Sequence, residues 1–155
     1  MPEVGVTRRR AGVPEASSDS VRKRMQTTPR RDTGPELALR SELHRRGLRY
    51  FVDRKILPGS RRRADLVFTA ARVAVFVDGC FWHACPEHMR LPSSNRTWWK
   101  AKLEGNRTRD TETDSRLSAL GWISLRVWEH EAPTSAADRV ESVIRRRTGA
   151  RSDAR

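Results

Sequence analysis

The sequence predicts an α/β domain in which a central β-sheet is flanked by helices. Two apolar segments, 64–68 (ADLVF) and 73–77 (VAVFV), are joined by a short polar link and are typical of neighbouring buried strands. A third segment, 122–128 (WISLRVW), alternates in polarity and predicts another central strand.

The other elements are predicted from start and stop signals. In the first helix, 36–46, Thr33 is positioned to cap the N-terminus, Glu36 takes the capping-box position, and Gly47 ends the helix. The remaining elements are a short strand at 50–55, a long helix at 98–120 and a C-terminal helix at 136–146. The predicted order is therefore α–β–β–β–α–β–α.

The charge of the chain indicates a polyanionic partner. Its 155 residues carry 32 Lys and Arg against 19 Asp and Glu, a net charge of +13. A soluble protein this basic most often binds nucleic acid. Residues 1–31 are basic and lack apolar periodicity, so we expect a flexible arm at 1–23, a single domain at 24–148 and a disordered tail at 149–155. The alternative for the arm is a solvated tail that takes no part in binding.

The composition also excludes several classes of protein. No apolar run approaches the roughly 20 residues of a membrane span, and the N-terminal region contains no apolar signal-peptide core. Two cysteines are too few for the disulfide framework of a small secreted domain. We therefore expect a cytoplasmic protein with no membrane partner.

A short irregular segment holds the residues most typical of a metal site. Cys80, Cys85 and His88 lie close together, and thiolates and imidazoles at such spacings are ligands of tetrahedral Zn²⁺. His130, just after the last strand, is the obvious candidate for the fourth ligand, because His44 lies within the first helix. The alternative is a pair of buried free thiols with surface histidines.

Two acids stand at strand ends, where a catalytic metal could bind. Asp65 begins the strand at 64–68 and Asp78 follows the strand at 73–77, so the two carboxylates can lie at one edge of the sheet. Two carboxylates with a strand-end carbonyl form a hard-oxygen site for Mg²⁺. Ordinary strand-capping aspartates are the alternative.

Two further residues can complete this site. Glu36 can join it from the first helix, or it can act only in the capping box. His83 is not needed by a four-ligand zinc site, which leaves it free for acid–base chemistry near neutral pH. Simple packing beside Trp82 is the alternative for this histidine.

The aromatic residues indicate contacts with bases. Five tryptophans are many for so polar a chain. The pairs at 81–82 and 98–99 adjoin polar and basic residues, so we expect Phe81, Trp82 and Trp99 to be accessible for stacking. The tryptophans of the last strand are expected in the core.

Several short motifs occur in a fixed order over residues 24–131. They are Asp32-Thr33-Gly34-Pro35-Glu36, Leu39-Arg40, Leu57-Pro58-Gly59, Asp65-Leu66-Val67-Phe68, Gly79-Cys80-Phe81-Trp82-His83, Asn106-x-x-Arg109-Asp110, Gly121-Trp122 and Val127-Trp128-Glu129. With these motifs the chain resembles the very-short-patch-repair (Vsr) DNA mismatch endonucleases, and the GCFWH pentapeptide is a specific part of that resemblance.

The resemblance implies a restriction-endonuclease-like fold and a Mg²⁺-dependent enzyme. Such an enzyme nicks one strand of double-stranded DNA just 5′ of the thymine in a T·G mispair, which arises when 5-methylcytosine deaminates. We expect it to act as a monomer, with downstream repair proteins following the nick.

The resemblance also implies roles for residues. Asp65 would be the principal Mg²⁺ ligand, with the backbone carbonyl of Val77 as the second. Glu36 would support the site, His83 would be the general base, and Cys80 would be a structural zinc ligand. Residues expected at the DNA are Phe81, Trp82 and Trp99 as an aromatic wedge, with Arg61, Arg62, Arg63, Lys102 and Asn106 around it.

Three parts of the sequence depart from the family pattern. The family's Pro-Asp pair reads Ala64-Asp65 here, which keeps the acid, so we expect an effect on the backbone only. Several relatives have a histidine where Asp78 stands, and since a carboxylate cannot act as a cation toward phosphate, we expect Asp78 to bind Mg²⁺ directly. At the zinc site His130 replaces a thiolate, while Cys85 and His88 replace a His/Cys pair. The set keeps two thiolates and two imidazoles.

Two other functions fit parts of the sequence. One is a restriction-type or modification-dependent endonuclease on the same scaffold, which the departure at Asp78 favours. The other is a non-catalytic zinc module that binds DNA, and the two strand-end acids argue against it.

Overall fold

The structure is a computed structural model, and it describes residues 31–152. The basic arm predicted at 1–23 lies outside the described residues. The elements are α1 (Gly34–Arg45), β1 (Phe51–Lys55), β2 (Arg63–Phe68), β3 (Val73–Asp78), α2 (Arg96–Ala119), β4 (Ile123–Trp128) and α3 (Pro133–Ser152). The predicted order of helices and strands, and a mixed α/β architecture with a four-stranded sheet, are confirmed.

The sheet has the strand order β1-β2-β3-β4, in which only the last pair is parallel. Strands β3 and β4 pair from Val73 with Ile123 to Asp78 with Trp128. Helix α2 supplies the crossover that a parallel pair requires. The parallel pairing brings the segments after Asp78 and after Trp128 to the same edge of the sheet.

Helices cover both faces of the sheet. The larger core packs α1 and α3 against one face, and α2 packs against the other. The buried residues of the first face include Leu39, Leu43, Leu66, Val73, Val75, Ala137 and Val140. Those of the second face include Leu57, Ala64, Val67, Ala74 and Leu117. Alternation along β2 and β3 supplies side chains to both cores, as expected of central strands.

The ends of two helices differ from the prediction. Helix α3 continues to Ser152, so residues 149–152 are helical and are not part of the predicted tail, and residues 153–155 lie outside the described part. Helix α1 begins at Gly34, and the Thr33 hydroxyl accepts a hydrogen bond from the Glu36 N–H at 3.5 Å, as the capping prediction required.

Within the described residues, no helix combines the length and apolar character of a membrane span.

Candidate active site and candidate metal centre

An open cleft of about 600 Å³ lies where β2 and β3 approach α2. Its charged lining combines four acidic with five basic side chains. They are Glu36, Asp65, Asp78 and Asp110, with Arg62, Arg63, Lys102, Arg109 and Arg126. The sequence-predicted acids therefore share one cleft with cationic side chains that suit a phosphate backbone.

Asp65 occupies the point at which β2 and β3 stop pairing. Their register runs from Phe68 opposite Val73 to Leu66 opposite Val75. Just beyond, the Asp65 carboxylate takes the place of a backbone partner, and its Oδ2 accepts the Val77 N–H at 2.7 Å. The N–H and C=O of one strand residue point to the same side. The Val77 carbonyl therefore faces the same side of β3 as the Asp65 carboxylate.

The surroundings of Asp65 disfavour its ionised form, although the charge of Arg40 acts in the opposite direction. Burial, with the neighbouring charges of Glu36 and Asp78, raises the pKa of Asp65 to about 6, although the Val77 N–H favours the ionised form. A divalent ion would relieve this repulsion, and carboxylate and carbonyl oxygens are the donors that Mg²⁺ prefers. The oxygen donors at Asp65 and Val77 therefore fit a magnesium ion.

Glu36 reaches the cleft but is already engaged. It is buried, and its Oε2 accepts hydrogen bonds from Arg40 Nη2 at 3.2 Å and from the Asp32 N–H at 3.0 Å. These contacts anchor the start of α1 in a variant of the capping box, in which Glu36 accepts from the residue before the N-cap and not from the N-cap Thr33. Both interpretations of Glu36 from the sequence are thus compatible with its position, since one carboxylate caps the helix and lines the cleft.

His83 lies in the turn after β3 between two carboxylates. Its Nδ1 lies 2.5 Å from Asp110 Oδ2, and its Nε2 lies 3.8 Å from Asp78 Oδ1. Burial alone would lower the pKa of His83, but the hydrogen bond to Asp110 and the charges of both acids raise it above its ordinary value. A histidine oriented by a carboxylate on one nitrogen is arranged to handle a proton on the other.

Asp78 has a cationic partner within the protein, the side chain of Arg126. Arg126 Nη1 lies 3.1 Å from Asp78 Oδ1 and 3.3 Å from its Oδ2, so the guanidinium covers both oxygens. Burial nevertheless raises the pKa of Asp78, against the favourable charges of His83 and Arg126. In the structure Asp78 is therefore the counter-ion of Arg126, and its role as a direct Mg²⁺ ligand stays a prediction.

Arg126 is the functional candidate that the sequence analysis missed. Its guanidinium also contacts Asp114, with Nη2 2.8 Å from Oδ1, and it lies over the Phe76 ring at 4.4 Å from the centroid. One signal could have found it: a lone charge in an otherwise central strand requires a buried partner. Asp110 and Asp114, one turn apart on α2, present two partners on one helix face.

The four predicted zinc ligands come together. The ligand atoms of Cys80, Cys85, His88 and His130 all lie within 4.8 Å of one another. The two cysteines are buried and the two histidines are exposed, so the group lies between the interior and the surface at the edge of the sheet. The parallel pairing of β3 with β4 explains the meeting, because it places the segment holding Cys80 beside the segment holding His130.

The geometry of this group fits a tetrahedral metal. Sulfur and nitrogen ligands on one zinc ion lie about 3.5 Å apart, given bond lengths of about 2.3 and 2.0 Å. Here Cys80 Sγ lies 3.1 Å from His130 Nδ1, and Cys85 Sγ lies 3.8 Å from both His88 Nδ1 and His130 Nδ1. Glu87 lies 3.6 Å from the other nitrogen of His130, as an outer carboxylate partner commonly does.

Burial and the neighbouring thiol affect the ionisation of Cys80. Burial and the neighbouring Cys85 raise the pKa of Cys80 to about 11, so this thiol is protonated when no cation balances the pair. A bound metal would deprotonate it. Both cysteines are free of disulfide bonds.

The aromatic residues form one cluster at the mouth of the cleft. Trp82 is 37% exposed and lines the cleft, whereas Phe81 is half-buried. The expectation that Trp99 is accessible is wrong, because it is only 8% exposed and packs against Phe81 and Trp82 with ring centroids 5.3 and 5.9 Å away. Trp99 therefore supports the exposed ring of Trp82 from below.

The basic and polar residues predicted at the DNA divide into two groups. Arg62, Arg63, Lys102 and Asn106 line the cleft, whereas Arg61 is exposed and is not part of the lining. Asn106 Nδ2 donates to the Trp82 carbonyl at 2.9 Å and so ties the aromatic residue to α2.

Comparison with known proteins gives one consistent result. The family model described as DNA mismatch endonuclease Vsr matches residues 16–88. The type II nicking enzyme V.NaeI of Lentzea aerocolonigenes is 49% identical over 109 residues, which cover 69% of this chain and 66% of that enzyme. The type II nicking enzyme V.XorIIP of Xanthomonas oryzae pv. oryzae is 42% identical over 108 residues, covering 69% of this chain and 77% of its own. The DNA mismatch endonuclease Vsr of Escherichia coli K12 is 38% identical over 108 residues, which cover 69% of this chain and 67% of that enzyme.

These matches agree with the geometry of the cleft. The region matched by the family model contains Asp65, His83 and Cys80, and so takes in parts of both candidate metal sites. The relatives match over two thirds of the chain at identities well above those of chance similarity. The chain therefore belongs to the Vsr family of DNA mismatch endonucleases, and it is a DNA endonuclease.

Proposed function

We propose that the protein is a Mg²⁺-dependent nicking endonuclease that recognises T·G mispairs formed from deaminated 5-methylcytosine. It cuts one strand 5′ of the mispaired thymine and thereby starts very short patch repair. The observation that carries the proposal is the placement of Asp65 and Val77 beside the His83–Asp110 pair in a cleft with cationic walls. We also propose that it works as a cytoplasmic, nucleoid-associated monomer, ahead of separate repair proteins.

In this proposal the Asp65 carboxylate and the Val77 carbonyl would hold Mg²⁺. The ion, when bound, supplies Lewis-acid activation of the scissile phosphate. Asp78 does not join this set, because Arg126 covers both of its oxygens. Glu36 contributes its charge and fixes the start of α1 at the cleft wall.

His83 acts as the proton-handling residue of the proposed reaction. The Asp110 carboxylate contacts Nδ1 of His83 and thereby fixes the orientation of the ring. The other nitrogen, Nε2, then faces the Asp78 carboxylate. From there Nε2 can take a proton from the attacking water, a contribution of typically 10²–10⁴-fold. Asp110 itself is stabilised as an anion: although burial opposes ionisation, His83 and Arg126 lower the pKa of Asp110.

The DNA is held by the cationic walls and opened by the exposed aromatic ring. Arg62, Arg63, Lys102 and Arg109 line the cleft and suit phosphate contacts, which position the duplex without reading sequence. Trp82 is exposed at the mouth of the cleft, where its ring can act as a wedge between bases. Inserting such a ring costs less free energy at a mispair than at a matched pair. We propose Zn²⁺ for the group of Cys80, Cys85, His88 and His130, as a closed structural site.

The test of this function is a nicking assay on strand-labelled duplexes. We expect Mg²⁺-dependent cleavage of a T·G duplex, with one nick on the thymine strand 5′ of that thymine, and far slower cleavage of the matched T·A and C·G duplexes. A matched duplex carrying 5-methylcytosine completes the set. Faster cleavage of the methylated or matched duplex would favour the restriction-type alternative, and an absence of Mg²⁺-dependent cleavage would contradict the proposal.

Trp82 offers a second test, on recognition. We expect Trp82→Ala to lower the preference for binding T·G over C·G duplexes about tenfold, because one stacked base contributes about 1–3 kcal/mol. Trp82→Phe, which keeps a stacking ring, should retain most of the preference. Binding would be measured by fluorescence anisotropy at one fixed salt concentration.

The matched control for this variant is Phe51→Ala. Phe51 is an aromatic residue on β1 that is 45% exposed and does not line the cleft, so its loss should leave the preference unchanged. An unchanged preference in Trp82→Ala, or an equal loss in the control, would contradict the role of Trp82.

A further inference from the structure

Three cleft residues have the spacing of a second cation site. The ligand atoms of Asp78, His83 and Asp110 all lie within 4.8 Å of one another, and Asp65 is not part of this group. Two carboxylates and an imidazole are a donor set that Mn²⁺ and similar divalent ions accept. Spacing alone would therefore predict a second metal beside the proposed magnesium site.

A guanidinium already stands among these donors. Arg126 Nη1 lies 3.1 Å from Asp78 Oδ1 and 3.5 Å from Asp110 Oδ1, while Nε and Nη2 contact Asp114 at 3.2 and 2.8 Å. The side chain is 22% exposed, and the Phe76 ring lies against its face. Arg126 thus faces three carboxylates, and its planar group has the donors to serve all of them.

The four charged groups form a closed ring. His83 lies between Asp110 and Asp78, and Arg126 lies between the same two carboxylates on the other side. Each carboxylate therefore contacts both the imidazole and the guanidinium. Without Arg126, Asp78 and Asp110 would share one histidine and Asp114 would lose its cationic partner, so the repulsion among these carboxylates would draw in a cation or push the side chains apart.

We propose that Arg126 is a built-in cation of the cleft, which occupies the place of a second divalent ion and holds Asp78 and Asp110 against His83. It is a positioning residue, since it acts on the reaction through these carboxylates. The inference deepens the proposed function and rests on it for the part that His83 plays in nicking. It also explains why an acid can stand at position 78 beside a phosphate site: its charge is cancelled within the protein.

The first experiment counts bound metal and needs no DNA. The zinc-loaded protein is titrated with Mn²⁺, and bound ions are measured by electron paramagnetic resonance. We expect about one Mn²⁺ per chain in the wild type, at the proposed Asp65 site. Arg126→Gln should bind about one additional ion, because three carboxylates lose the cation that they share and only His83 remains beside two of them. The double variant Asp78→Asn/Arg126→Gln should return to the wild-type number, since the site loses one anionic ligand together with the competing cation.

Two matched variants control for the loss of charge. Arg126→Lys keeps the positive charge, so it should bind no additional Mn²⁺. Arg146→Gln removes an exposed arginine of α3 that does not line the cleft, and it should behave as the wild type. No gain of Mn²⁺ in Arg126→Gln, or an equal gain in Arg146→Gln, would overturn the inference.

Kinetics on the T·G duplex provide the second readout. Arg126→Gln should lower kcat about 10²-fold with little change in KM, as expected when the positioning of an acid–base group is lost but DNA contacts are kept. The double variant should recover about tenfold over Arg126→Gln, because the charges balance again. Additive losses in the double variant would contradict the coupling of Asp78 with Arg126.

The two readouts separate this inference from the proposed function. If no variant nicks a T·G duplex but the Mn²⁺ counts follow the expected pattern, the proposed function fails and the built-in cation stands. If Arg126→Gln folds only when Mn²⁺ is present, the ion has taken the place of the guanidinium, as the inference requires. If it does not fold in either buffer, the charge-balanced double variant must fold, and failure of that variant too would overturn the inference.

Discussion

Replacing Asp65 with Asn is expected to abolish nicking and at the same time to stabilise the protein in buffer without Mg²⁺. Asn keeps an oxygen that can accept the Val77 N–H, which Asp65 Oδ2 receives at 2.7 Å, so the end of the β2–β3 pairing is preserved. It loses the negative charge that would hold the ion. We expect nicking to fall by about 10³-fold or more, with binding to a T·G duplex largely kept.

The stabilisation follows from the raised pKa of Asp65. Burial, with the charges of Glu36 and Asp78, raises this pKa from 3.8 to about 6, so the ionised side chain opposes folding. The penalty is absent well below pH 4, grows as the pH rises from about 4 to about 6, and is complete above that. At pH 8 the Asn variant should gain about 3 kcal/mol of unfolding free energy, and near pH 5 about half of that.

Urea denaturation of the zinc-loaded protein at the two pH values measures this gain, and the nicking assay measures the loss. Asp138→Asn is the matched control, because Asp138 is a 71% exposed carboxylate of α3 away from the cleft. It should keep full nicking activity and gain no stability. Full activity of Asp65→Asn would refute its role as a metal ligand, and a loss of stability at pH 8 would refute the electrostatic argument.

The second large effect is expected at the sulfur and imidazole group. His130→Ala should lose its bound zinc and most of its soluble, folded protein, because His130 is the one ligand that joins the loop after β3 to the end of β4. Zinc binding contributes up to about 10–16 kcal/mol to folding in small zinc modules, and even a fraction of that exceeds the stability of a typical domain. Metal content by mass spectrometry and thermal unfolding would be measured on the same samples.

A second histidine provides the control for this variant. His44→Ala removes an exposed histidine of α1 that is not part of the group, so it should keep zinc and an unchanged Tm. A strong chelator should lower the zinc content and the Tm of the wild type to those of His130→Ala, and this result would attribute the effect to the metal. Normal unfolding of His130→Ala with an empty site would overturn the structural role.

Local patterns were sufficient to predict the elements and the sulfur and imidazole group. Cys80, Cys85 and His88 lie in one short segment, and the apolar character of the β3 and β4 sequences predicts two central strands. His130 could be added because it directly follows the second of these strands. The predicted element order and the meeting of these four residues follow from such short-range information.

The parts that could not be predicted depend on contacts across the fold. Strand spacing places Asp78 at the correct edge, but only the register of β3 with β4 sets Arg126 beside Phe76 and within reach of Asp78. The same applies to Trp99, whose neighbours suggest exposure although Phe81, from another segment, covers it. Tertiary contacts of this kind are not indicated by any periodic pattern of residues along the sequence.

The parallel pairing of β3 with β4 has a consequence for anyone who wishes to redesign the enzyme. Val77, His83 and Cys85 follow one another on a single short stretch, so an exchange there disturbs the reaction chemistry and the integrity of the domain together. Lys102 and Arg109 of α2 are freer positions, because both side chains are exposed and line the cleft. New substrate preferences are best sought at these two positions, with the sheet edge and the carboxylates of α2 left as they are.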